Sequence, residues 1–144
     1  MSIVQTATTN FKIGLLDGTF NFDTGTTQTF KIALYTANAD LNSSTTAYTT
    51  SGEVVGTGYT AGGQTLTISQ VPTSTGTVAY LSFSDVSWPS STLTARAALI
   101  YKYDGSTNPA VAVLDFGSDK ITVGGTFQIV FPAATSTSAI IRIS

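Results

Sequence analysis

Short strand-type runs, recurring about every ten residues and each closed by turn-forming residues, constrain this chain more than any other feature. They occupy 64–71, 76–83, 93–103, 110–116, 126–131 and 138–143, and an earlier run covers 29–35. In that earlier run Phe30, Ile32 and Leu34 alternate with Lys31 and Ala33, the period of two that puts one face of a strand into a core. The separators are Pro72-Thr73-Ser74, Trp88-Pro89-Ser90-Ser91, Asp104-Gly105-Ser106, Gly124-Gly125 and Ala133-Ala134. Even spacing with such punctuation predicts an all-β fold, an antiparallel β-sandwich of jelly-roll-like type. Asp104-Gly105 predicts a hairpin between 93–103 and 110–116, because Asp-Gly readily adopts positive φ.

Two segments are apolar on both faces, Ala97-Ala98-Leu99-Ile100-Tyr101 and Ala110-Val111-Ala112-Val113-Leu114. They are either central strands covered on both sides or strands that meet a neighbouring subunit. One short N-terminal helix is expected, with Asn10 as cap, Gly18 as stop and Phe11, Leu15 and Leu16 on one side. Gly14 is unfavourable inside it. From 36 to 63 the chain is rich in Thr, Ser, Asn and Gly without a sustained period, a connection long enough to suggest a functional loop or an arm. Length, 144 residues, fits a single domain over 1–144, with 1–10 as an N-terminal arm and 36–63 as a long loop.

Composition narrows the function classes. Charged residues make up only 10% and hydrophobic ones 42%, the opposite of a disordered chain. Six Lys and Arg in a chain of net charge -2 make no basic stripe, so nucleic acid is not an expected partner. No apolar run reaches the length of a spanning helix, and Met1-Ser2-Ile3-Val4-Gln5 lacks the basic start of a secretory leader, so neither membrane nor export is expected. Histidine and cysteine are both absent, which removes the commonest general base, the thiol nucleophile and the softer metal ligands together.

The remaining chemistry is sparse. The acids are Asp17, Asp23, Asp40, Glu53, Asp85, Asp104, Asp115 and Asp119, and Asp17, Asp23 and Asp104 lie close to glycines in the manner of turn residues. A glycosidase-type carboxylate pair is disfavoured on that ground. Asp115-Phe116-Gly117-Ser118-Asp119 lacks the acidic density of a calcium loop. Gly56-Thr57-Gly58-Tyr59-Thr60-Ala61-Gly62-Gly63 has the glycines of a phosphate loop without its lysine or its helix, so a tight bend with close backbone packing is the better reading. Glu53, the only glutamate, has the chemistry to assist a Lys-to-Asn isopeptide link, but no sequence feature places those partners beside it. Trp88, Tyr59, Tyr80, Tyr101 and Tyr103 are the residues from which a sugar-stacking platform would be built; core edges and interface anchors use the same side chains more often. No enzyme and no cofactor is expected.

Several stretches occur together: Phe30-Lys31-Ile32-Ala33-Leu34-Tyr35, then Glu53-Val54-Val55 continuing through Gly56 to Gly63, then Asp85-Val86-Ser87-Trp88, Leu93-Thr94-Ala95-Arg96-Ala97-Ala98-Leu99-Ile100-Tyr101 and Leu114-Asp115-Phe116-Gly117. In this order they resemble a family of small tailed-phage structural proteins, and the Gly-Thr-Gly-Tyr-Thr-Ala-Gly-Gly run is the most specific part. The resemblance implies a virion protein, assembled in the bacterial host cytoplasm, with no catalytic residues to carry over. A capsid decoration (cement) protein that binds the major capsid protein, as a homo-oligomer on the particle, heads the expectations. A tail or head-tail connector component and a carbohydrate-binding adhesion module are the alternatives. The interface candidates are Tyr59, Trp88, Arg96, Tyr101 and Tyr103.

Overall fold

The computed structural model describes residues 2–23 and 25–144. The elements are β1 (Thr6–Ala7), α1 (Thr9–Asp17), β2 (Thr29–Tyr35), β3 (Gln64–Leu66), β4 (Ile68–Thr75), β5 (Val78–Phe83), β6 (Val86–Tyr103), β7 (Ala110–Ile129) and β8 (Ile141–Ile143). They form a five-stranded sheet in the order β1-β7-β6-β2-β3 and a three-stranded sheet in the order β4-β5-β8, antiparallel throughout. The expected sandwich is present, with its strands divided five and three.

The larger sheet is apolar on both faces because both are covered. Toward the smaller sheet, Phe30, Ile32, Leu34, Ala98, Ile100 and Val111 meet Leu81, Phe83 and Ile141 in the main core. On the opposite face Ala33, Tyr35, Ala97, Leu99, Tyr101 and Val113 pack under Ala39 and Leu41 from the 36–63 loop, with Ile3 and Tyr48 at the margin. The two-faced segments are therefore central strands, and the chain itself supplies the second cover.

Helix α1 begins two residues earlier than the sequence suggests. Thr8, not Asn10, is the cap: its Oγ1 accepts from the Phe11 amide at 3.0 Å and donates to the Ala110 carbonyl oxygen at 3.1 Å, tying helix to sheet. Gly18 closes the helix in the left-handed conformation, as expected. Gly14 is required by packing, since a Cβ there would collide with the Phe20 ring. Leu15 packs against the core, but Leu16 is 91% exposed and does not share its face.

The first ten residues are not a free arm. Met1 lies outside the described residues; beyond it, Thr6 and Ala7 pair with Val113 and Ala112, the Val4 amide donates to the Leu41 carbonyl, and the Thr9 amide donates to that of Ser43. Three expected separators also prove to be interior to strands, Pro72-Thr73-Ser74 lying within β4. Trp88-Pro89-Ser90-Ser91 and Gly124-Gly125 face one another as bulges in the long β6–β7 hairpin, where Ser90 and Gly124 take positive φ and Pro89 falls where no ladder donor is needed. The buried Ser91 hydroxyl donates to the Gly125 carbonyl at 3.1 Å and so satisfies the kink.

Candidate functional site

The densest polar cluster of the molecule centres on Glu53, in the 36–63 loop. Glu53 bridges to Tyr35 of β2, which draws its side chain beneath the loop. One carboxylate oxygen, Oε2, accepts from the Tyr48 hydroxyl at 2.6 Å; the other, Oε1, accepts from the Tyr59 hydroxyl at 2.6 Å and the Gly62 amide at 2.7 Å. Tyr59 Oη in turn accepts from the Leu34 amide at 2.9 Å, and Tyr101 Oη donates to the Gly62 carbonyl at 2.7 Å. Tyr35 Oη donates to the Thr49 carbonyl at 2.7 Å, and the Tyr48 and Tyr101 rings stack 4.8 Å apart. Gly63 completes the bend: its φ is +76°, and a Cβ would strike the Ile32 carbonyl oxygen.

Burial first, and the neighbouring Glu53 charge second, push the Tyr101 hydroxyl up to about 12. Tyr35, Tyr48 and Tyr59 are raised as well, each chiefly by burial and then by Glu53, through its charge at Tyr35 and through its hydrogen bond at Tyr48 and Tyr59. Their protons therefore stay in place as donors at neutral pH. Chemically the cluster is a latch: the carboxylate ties four points of the loop to one another, and the Leu34–Tyr59, Tyr35–Thr49 and Tyr101–Gly62 bonds fasten the loop to β2 and β6. Glu53 has neither Lys nor Asn among its hydrogen-bond partners, so the isopeptide role has no geometry behind it.

The interface candidates do not assemble into one surface. Trp88 is 2% exposed, set between Tyr59 and Phe127 at ring distances of 6.1 and 6.0 Å, so it is a core residue and offers no platform for a sugar. Tyr101 is buried in the second core, and Tyr59 is committed to Glu53. These placements differ from the sequence reading because the loop covers Tyr101, Tyr59 of that loop turns inward to Glu53, and Trp88 is enclosed between Tyr59 and Phe127. Arg96 stays partly open, with Nε 3.7 Å from Asp115 and Nη1 4.0 Å from Asp119. Tyr103 is exposed, with Lys31 Nζ 4.3 Å from its ring centroid. Asp104 serves the hairpin turn: it accepts from the Asn108 and Ser106 amides and the Thr107 hydroxyl, and these bonds, that of Asn108 foremost, hold its carboxyl well below the usual carboxylate range. Among the described residues no group of three or more potential metal-ligating side chains comes together, Asp115 and Asp119 included.

The exposed apolar side chains lie elsewhere. Val55, Ile121 and Val123, 95%, 66% and 81% exposed, border one shallow depression together with Thr36, Leu93 and the threonines 92, 94 and 122. The sequence carried a signal for them in the alternating Ile121-Thr122-Val123, which fell between two expected strands and was not assigned. Comparison with protein-family models, with curated proteins and with solved structures finds no match to this chain.

Proposed function

We propose that the chain is a structural protein of a tailed-phage particle, foremost a capsid decoration protein that packs onto the outer shell through the Val55–Ile121–Val123 face. The observation that carries this reading is that face itself. Three branched aliphatic side chains stand in water, Ile121 and Val123 on the β6–β7 hairpin and Val55 on the loop beside it, ringed by threonines and without a charged side chain among the lining residues. Burying a valine or isoleucine side chain contributes about 1.5–3 kcal/mol, so such a triad suits a protein partner. Two further points support the reading. The phage-family resemblance runs through the loop that bears Val55, and the only glutamate is occupied in holding that loop rather than in chemistry.

Cryo-electron microscopy of intact particles tests it. The expected map has this domain on the shell exterior, with the Val55–Ile121–Val123 face against capsid subunits. Density along the tail or at the connector would move the protein to that position. Absence of the chain from purified particles would overturn the virion reading.

A further inference from the structure

A second surface, remote in sequence from the Val55 face, lies on the open side of the sandwich. There the two sheets part between their terminal strands, β1 and β8, and α1 lies across the gap. The result is a groove of about 590 Å3, bordered by Leu15, Leu16, Leu114, Ile140, Ile141 and Ile143. Its size falls within the range of about 300–1,000 Å3 usual for binding clefts.

Two features specify an occupant. Among the described residues the charged side chains on the groove are Lys12 of α1 and Arg142 of β8, and no carboxylate lines it although the chain is acidic overall. Among the described residues neither cation has an ion pair or side-chain hydrogen bond, whereas Arg96 faces Asp115 and Asp119 and Lys102 donates to the Thr19 carbonyl. The second feature is backbone. Strand β8 pairs on one side only, through Ile141–Leu81, Arg142–Tyr80 and Ile143–Ala79 with β5, which leaves its outer edge open beside the groove. A fatty acyl chain would satisfy the apolar walls and one cation but not a strand edge. An extended polypeptide satisfies all three.

We infer that this groove receives an extended acidic segment of a partner protein, which adds as a strand to β8, sets alternate apolar side chains between α1 and β8, and places carboxylates on Lys12 and Arg142. This goes beyond the proposed shell attachment and does not depend on it.

The test is selection of displayed random nine-residue peptides against the intact protein, followed by titration of the enriched peptides. Enriched sequences are expected to alternate aliphatic residues and to carry an excess of Asp and Glu. Their affinity should fall at least tenfold against a Lys12→Glu/Arg142→Glu variant, whose substitutions are exposed and leave the core untouched. N-methylation of alternate peptide amides should abolish binding if a strand is added. Failure to enrich any peptide overturns the inference, as does enrichment of basic sequences or binding indifferent to the double variant. Dodecanoate binding that outcompetes the peptides would assign the groove to an amphiphile instead.

Discussion

The 36–63 loop and the outer stretch of β7 have exchanged the properties usually expected of them. The loop has no strand or helix, only isolated bridges, yet Ala39, Leu41, Glu53 and Val54 are buried in it. The segment from Gly117 to Gly124 is strand, yet apart from Thr122 its residues are exposed. Regular hydrogen bonding and burial are therefore separate variables in this molecule. The loop is held by scattered backbone bonds, such as the Val54 amide to the Leu34 carbonyl, together with a side-chain cluster of one carboxylate and four phenols. The outer β7 segment is held by backbone pairing to β6, which frees its side chains for other uses.

That contrast predicts an ordered series of effects. The largest belongs to Glu53→Ala, which strands two half-buried phenols and the Gly62 amide. With hydrogen bonds to charged groups worth about 1.5–3 kcal/mol each, urea denaturation should show a loss of about 3 kcal/mol or more. A loss below about 1 kcal/mol would mean the loop is held by its apolar contacts instead. Next comes alkaline pH. Because the tyrosine values are raised in the folded state, their contribution is fully present below 10.0 and should be lost as pH climbs toward about 12, the Tyr101 value. Melting temperature should fall over that window, and less steeply in Tyr48→Phe or Tyr101→Phe. Tyr101→Phe at neutral pH should cost about 1 kcal/mol, the ordinary value for one neutral hydrogen bond.

Smaller still is the acid-side effect at the hairpin turn. The Asp104 carboxyl sits below 3.8, so its contribution is present above that pH and declines as acidification proceeds further; Asp104→Asn should flatten the stability profile there by lowering stability slightly at neutral pH and not in acid. The smallest expected effect on stability is that of Ile121→Thr with Val123→Thr, each within about 0.5 kcal/mol by thermal melting. The same pair should nevertheless reduce occupancy on particles several-fold, and unchanged occupancy would move the contact surface away from this face.

The sequence made the sandwich legible because large apolar residues at a period of two, Phe30, Ile32 and Leu34, mark a strand even though Ala33 and Tyr35 bury its other face too. It misplaced strand ends where a local rule was overridden at a distance. Pro89-Ser90 and Gly124-Gly125 read as breaks, but each supplies the positive φ or missing donor that a bulge uses, and neither reveals alone that it faces the other. Thr8 does not stand out as the cap in the sequence because its second partner, Ala110, lies about a hundred residues away. Trp88 and Tyr101 looked available as anchors because nothing in a Thr-rich, aperiodic segment announces that it will cover a sheet. The Glu53 latch had one visible sign, a single glutamate among tyrosines. Its geometry depends on a bend at Gly62-Gly63 that composition alone does not orient.

The facing bulges of β6 and β7 carry a consequence for how this molecule tolerates change. One adds a residue to β6 between Trp88 and Ser91, the next adds one to β7 between Ser91 and Leu93, and pairing beyond them returns to step, with Val86 opposite Ile129. Insertions on the two strands thus cancel like opposite frameshifts. Removing Ser90 alone would turn Trp88 and its neighbours toward the wrong side of the sheet, while removing Ser90 together with Gly124 would restore the reading of faces. A lineage of such proteins can gain or lose that kink only by two coordinated events.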